Sequence, residues 1–271
     1  MQVLFVVALQ AEATAIIKFY KLKLYLEVPF KIYRGENKWL VVSGIGKINS
    51  AAATSYLCCL ANDDMHQIWL NVGIAGHIDL PVGTAIIGHK IVDKVTQKKW
   101  YPPLLIDTEI TTAEIITVDI AETGYPTSSV YEMEAAGFYS IATKFSTSEL
   151  VHCFKIISDN KKQNITNITR QKIETWIGEN AENLDSICCQ LQKIAQKLPD
   201  KNPREWQEFI STWSFTSAGK KRLRNLLQKW NALNPQSKLL DEQISQQCQN
   251  MKQVLVYVEK KVKEFSCGSG L

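Results

Sequence analysis

Residues 2–12 read Gln-Val-Leu-Phe-Val-Val-Ala-Leu-Gln-Ala-Glu, an apolar run that ends by delivering a carboxylate. A continuous apolar run of this length, without polar alternation, suits a strand buried on both faces. The period then changes. Ala15, Ile16 and Phe19 recur at helical spacing between Glu12 and Tyr20, which predicts an amphipathic helix. A buried strand feeding a helix is the opening of an α/β unit, and the chain repeats the theme as far as residue 197. Residues 30–34 and 39–43 predict a hairpin across Gly35-Glu36-Asn37, and Gly44-Ile45-Gly46 turns the chain into a small-residue helix at 49–60. Strands are expected at 68–72, 84–95, 114–120 and 151–158, and helices at 133–145 and about 166–197. Residues 97–113, with Pro102-Pro103 and a threonine cluster, fit neither period. The alternation predicts an α/β fold, a three-layer sandwich about a mixed, twisted central sheet.

Leu198-Pro199-Asp200 and Asn202-Pro203 mark a boundary, giving an α/β domain at 1–198 and a helical C-terminal extension at 199–271. In the extension Leu223, Leu226, Leu227, Trp230 and Leu233 share one helical face. Leu240, Ile244, Cys248, Met251, Leu255, Val258 and Val262 share another, and residues 266–271 read as a frayed tail. Charge divides at the same place. Residues 201–271 hold 12 Lys/Arg against 6 Asp/Glu, and the first 200 hold 19 against 21. The stretch Lys220-Lys221-Arg222-Leu223-Arg224 lacks aromatic residues on its basic face, so it reads as a solvated helix face rather than a nucleic-acid contact.

Composition excludes several classes. No stretch approaches the roughly 20 apolar residues of a membrane span, and the first residues carry no basic leader, so a cytoplasmic protein is expected. The seven cysteines have no metal-ligand spacing and read as reduced thiols. Neither a metal nor another cofactor is expected.

Three acids stand where apolar runs stop: Glu12, Glu134 in Tyr-Glu-Met-Glu-Ala-Ala at 131–136, and Asp159 in Ile-Ile-Ser-Asp-Asn at 156–160. Each has a plain structural reading, since an acid in a first helical turn complements the helix dipole and Ser-Asp-Asn caps turns. In an open α/β sheet, however, ligands sit beyond the carboxyl ends of the strands, and three acids delivered there suit proton transfer or sugar binding.

The ordered series of Ala-Leu-Gln-Ala-Glu at 8–12, Ser-Gly-Ile-Gly-Lys-Ile-Asn at 43–49, Asn-Val-Gly-Ile-Ala-Gly at 71–76, Tyr-Glu-Met-Glu-Ala-Ala and Ile-Ser-Asp at 157–159 resembles the purine nucleoside phosphorylase and nucleosidase superfamily. The nearest branch is the methylthioadenosine/S-adenosylhomocysteine nucleosidases. The resemblance covers roughly residues 1–195 and leaves out the extension. It implies that Glu12 activates water and Asp159, oriented by Ser158, protonates or hydrogen-bonds a purine. It also implies that Glu134 binds ribose hydroxyls and Met133 packs on the sugar. Gly76, Ile74, Ile120 and Lys155 complete the implied substrate-binding set.

The sequence departs from the family at Lys155, where arginine is usual, at Ile74, where a small hydroxyl residue is usual, and at His77, where a second glycine is usual. The segment between Asp119 and Tyr131 is also much shorter, leaving residues 120–130, with Tyr125, to build the base pocket. Phosphorolytic members grip phosphate with arginine, and before residue 160 this chain has only Arg34. The expected function is therefore hydrolysis of the N-glycosidic bond of a purine nucleoside or thio-nucleoside. The alternatives are phosphorolysis, with phosphate as co-substrate, and a nucleoside-binding module without turnover. A homo-oligomer, with a dimer favoured, is the expected assembly.

Overall fold

The structure is a computed structural model that describes residues 1–61, 66–198, 202–240, 244 and 247–268. Two compact units divide at Leu198, Met1–Leu198 and Pro199–Leu271, and each is considered by itself.

In the first unit ten strands form one mixed sheet. They are β1 Gln2–Val7, β2 Lys23–Leu26, β3 Lys31–Arg34, β4 Lys38–Val42, β5 Gln67–Gly76, β6 Ala85–Asp93, β7 Lys99–Trp100, β8 Thr111–Thr117, β9 Val130–Glu132 and β10 Val151–Asp159. The helices are α1 Gln10–Tyr20, α2 Lys47–Leu60, α3 Ala135–Ala142, α4 Arg170–Glu179 and α5 Ala181–Lys197. Strand β1 lies parallel between β4 and β5, and β5 also runs parallel to β10. From β10 the sheet continues through β6, β8 and β9. At Gly76, beyond the end of β1, β9 returns to pair with β5. Five strands thus close into a ring, with β1, β4, β3 and β2 as an open wing.

The two-residue period of β1 builds the layers. Val3, Phe5 and Val7 point into one core with α1, α4 and α5, while Leu4 and Val6 point into the other with α2 and α3. All five side chains are fully buried, which explains the unbroken apolar run. Helices α2 and α3 meet at Gly137, where a Cβ would stand 1.9 Å from the Lys47 carbonyl oxygen.

Several expectations need correction. The helix expected over about 166–197 is a 3₁₀ turn at Ile165–Asn167 followed by α4 and α5, broken at Asn180. The Asn180 side chain donates to the Trp176 and Gly83 carbonyls, side-chain bonding that competes with a helix. The hairpin at 30–43 gains a third strand, β2. The illegible stretch holds β7, and its Leu104, Ile106 and Ile110 pack into the α1/α4/α5 core. The helix expected at 133–145 shortens to α3, and β9 precedes it.

In the second unit α6 Trp206–Thr212, α7 Ser217–Leu233 and α8 Met251–Gly268 build a core from Trp206, Phe209, Leu223, Leu227, Trp230, Ile244, Val254 and Val258. The two stripes pack on each other, although Leu233 stays 41% exposed. Residues 248–250 are not helical, so the second stripe is not one helix. Its 241–243 and 245–246 lie outside the described residues. The tail expected to fray from residue 266 is helical to Gly268, and 269–271 lie outside the described residues. Cys58, Cys59, Cys153, Cys188, Cys189 and Cys248 are free thiols. Among the described residues no helix is long and apolar enough to cross a membrane, and no cluster of three or more His, Cys, Asp or Glu could hold a metal ion.

Candidate active site

Parallel β1, β4, β5 and β10 end on the same side of the sheet, and a cavity of about 220 Å³ opens there. Glu12, Ile74, Gly76, Met133, Glu134, Ser158 and Asp159 all line it. Two members of the expected set do not. Ile120 is 83% exposed, and Lys155 lies beneath the cavity in an ion pair with Glu132.

Glu12 sits in the first turn of α1 and turns back onto the chain. Its Oε2 accepts the N–H groups of Ala8 (2.9 Å) and Leu9 (2.8 Å), and its Oε1 accepts that of Ile74 (2.9 Å). Gly73 makes this possible, because a Cβ there would stand 2.8 Å from Oε1. Burial raises the Glu12 carboxyl above its ordinary value, against the opposing pull of the three N–H groups and the Lys155 charge. Such a group is a better proton acceptor near neutrality than a solvated glutamate.

Glu134 precedes α3 and reaches across to α2, where its Oε1 accepts the Gly46 N–H at 2.8 Å. The glycine-rich turn at 43–47 therefore offers this N–H to an internal carboxylate. Burial first, and the Glu132 charge second, push Glu134 up to about 7.

Glu132 is fully enclosed. It accepts the Thr117 hydroxyl (2.6 Å) and the N–H groups of Glu134 (2.9 Å) and Ala135 (2.8 Å), and it pairs with Lys155 at 2.8 Å. Burial alone would lower Lys155, but the Glu132 and Glu134 carboxylates outweigh it and keep the ammonium protonated. Sequence reasoning singled out Glu134 in this motif and not Glu132. The alternation of Tyr-Glu-Met-Glu on a short strand was the signal that both acids could face inwards.

Asp159 ends β10. Its Oδ1 accepts the Ser158 hydroxyl at 2.5 Å, and its Oδ2 accepts the Tyr125 hydroxyl. Tyr125 belongs to the short segment after β8. That segment is fastened by the His77 ring, whose Nδ1 accepts the N–H groups of Asp79 (3.2 Å) and Leu80 (3.0 Å) and whose Nε2 donates to the Ser128 carbonyl (3.1 Å). His77 thus serves the shortened segment.

Among the described residues the cavity is lined by five carboxylate residues, Glu12, Glu122, Glu132, Glu134 and Asp159, and by no lysine or arginine. Ile45, Ile74, Val118, Tyr131, Met133 and Ile165 supply apolar walls. Arg34 lies elsewhere, its guanidinium over the rings of Trp39 (4.5 Å) and Tyr25 (5.6 Å). Such a site stabilises positive charge and accepts or delivers protons, and it repels anions.

In fold the chain is similar to solved α/β nucleosidases. The 5′-methylthioadenosine/S-adenosylhomocysteine nucleosidase of Neisseria meningitidis, solved with methylthio-immucillin-A, matches with a TM-score of 0.57 at 20% identity, over 69% of this chain and 98% of that one. The corresponding nucleosidase of Colwellia psychrerythraea 34H, solved with adenine, matches with a TM-score of 0.54 at 19% identity, over 72% and 96%. Futalosine hydrolase of Helicobacter pylori strain 26695 matches with a TM-score of 0.53 at 17% identity, over 70% and 98%. No protein-family model matches the chain, and neither does any curated protein.

Proposed function

We propose that the protein hydrolyses the N-glycosidic bond of a purine nucleoside or thio-nucleoside. The observation that carries this reading is the acidic cavity at the strand ends, with Glu12, Glu134 and Asp159 around one space. Breaking the bond makes the ribose cationic and loads electrons onto the base. Carboxylates around the sugar oppose the first charge, and an acid at the base relieves the second. Glu12, with its raised carboxyl value, takes the proton of the attacking water. Glu134 accepts ribose hydroxyls against the apolar face of Met133, and Asp159 serves the departing base. The fold likeness to nucleosidases solved with a nucleoside analogue or with adenine supports the same substrate class.

Water is preferred to phosphate as the nucleophile on electrostatic grounds. Phosphate would enter a space lined, among the described residues, by Glu12, Glu122, Glu134 and Asp159 besides the Lys155-paired Glu132, with no cationic side chain on the wall. The Gly46 N–H is already taken by Glu134. At about 220 Å³ the cavity is small beside the roughly 300–1,000 Å³ of drug-sized clefts, which suits a small metabolite. A homodimer is part of the proposal, supported by the exposed Ile45 (53%) and Ile48 (80%) beside the cavity mouth.

Incubation with a panel of purine nucleosides, with and without phosphate, tests the reading by identifying both products. Free base and free ribose in phosphate-free buffer are expected. Ribose 1-phosphate formed only with phosphate would promote the phosphorolytic alternative. Tight nucleoside binding without free base would promote the binding module.

A further inference from the structure

Tyr125 is placed with unusual care for a residue of an irregular segment. Its backbone is left-handed, with φ of 44°, a region that disfavours a bulky side chain. The ring is 3% exposed and packs near Tyr131 at 6.1 Å between centroids, while its hydroxyl donates to Asp159 Oδ2. Gly76 on β5 leaves the room: a Cβ there would stand 2.7 Å from Asp159 Oδ2 and 2.7 Å from Tyr125 Cε1. The segment is held on the C-terminal side of Tyr125. His77 grips the Ser128 carbonyl, and the Thr127 hydroxyl meets the Tyr131 hydroxyl at 2.7 Å. Tyr125 does not line the cavity. It stands behind Asp159, so it acts through that residue.

We propose that Tyr125 is a positioning residue for base departure, fixing the Asp159 carboxyl and stabilising the carboxylate left when Asp159 gives up its proton. The proposal rests on the hydrolytic reading above. As the C1′–N bond breaks, its electron pair goes to the base and the Asp159 proton moves to a base nitrogen. Water adds to C1′ and yields its proton to Glu12. Asp159, now an anion, is met by two hydroxyl donors, Ser158 on Oδ1 and Tyr125 on Oδ2. Burial and the adjacent Asp159 raise the Tyr125 phenol above its ordinary value, so the phenol stays a donor throughout. The shortened segment between β8 and β9 thereby supplies a hydroxyl to the acid from the side away from the cavity.

The test compares two substrates in Tyr125→Phe, which keeps the ring and removes the donor. One is the purine nucleoside the protein cleaves best. The other is 4-nitrophenyl ribofuranoside, whose leaving group departs as a stable anion and needs no proton. The expected result is a fall in kcat on the purine nucleoside of about 10- to 100-fold, the scale of a lost hydrogen bond to a charged group. KM should move less than about 3-fold, and the ratio of purine to nitrophenyl turnover should fall with kcat. Gly76→Ala, which wedges Asp159 from Tyr125, should lower the same ratio and decides the matter if Tyr125→Phe does not fold. A ratio held within about 3-fold of the unsubstituted protein overturns the proposal and leaves the hydrolytic reading standing. If the unsubstituted protein cleaves neither substrate, the reading fails and the proposal fails with it.

Discussion

At Glu134 and Lys155 buried charge has consequences that can be measured. A carboxyl held at about 7 binds its proton more tightly in the folded protein than in the unfolded chain, where its value is near 4.5. Its contribution therefore favours folding below the unfolded value and turns against it as pH rises from about 4.5 to 7. Glu134→Gln should flatten that part of the stability profile, read by calorimetry at pH 5 and pH 7, whereas an unchanged slope would place the proton elsewhere. Lys155→Met leaves Glu132 buried and without its cation, so it should destabilise the unit by about 3–5 kcal/mol, visible as a lower urea midpoint. Glu12 and Asp159 were legible in the sequence because they stand where the apolar runs of β1 and β10 stop, whereas Glu134 follows the three-residue β9 and was singled out by the motif at 131–136 and the resemblance it carries. Tyr125 and the Glu132–Lys155 pair were less legible. Their roles depend on which strands neighbour one another, and local spacing does not carry that.

The elements follow a similar division. The buried strands β1 and β10 and the helices α1 and α2 are legible because their patterns hold one period over a whole element, whereas β5, expected at 68–72, runs on through the glycines to Gly76. The edge strand β2, with Lys23, Leu24 and Tyr25 exposed, carries little pattern, and β7 and β9 are too short to show one. The break at Asn180 is a side-chain effect inside an otherwise continuous helical period. Ring closure by β9 rests on pairing between Gly76 and Tyr131, residues far apart in the chain. The α2–α3 contact is the element-scale feature with the sharpest test. In Gly137→Ala the new Cβ meets a backbone carbonyl rather than a flexible side-chain end. The cost should reach or exceed the about 1–3 kcal/mol usual for overpacking, and it should misplace Glu134 by displacing Gly46. A variant with full stability would show that the helices can separate at no cost.

Over the whole molecule, the chain divides into two compact units, and the core of the second is separate from the two cores of the first. The second has its own buried cluster of Trp206, Phe209, Leu223 and Trp230. Calorimetry of the full chain should give two transitions. Truncation after Leu198 should remove one of them and leave nucleoside turnover within about 3-fold. Loss of turnover in a folded, truncated protein would assign the extension a part in the site. The boundary was legible because proline punctuation, period and charge all change there together. Glu12, as proposed, activates water inside an acidic nucleoside cavity. The most direct measurement is kcat of Glu12→Gln on the preferred nucleoside in phosphate-free buffer, with ligand affinity measured alongside. A loss of about 10²- to 10⁴-fold with affinity retained is expected, and turnover at the unsubstituted rate would remove Glu12 from that role.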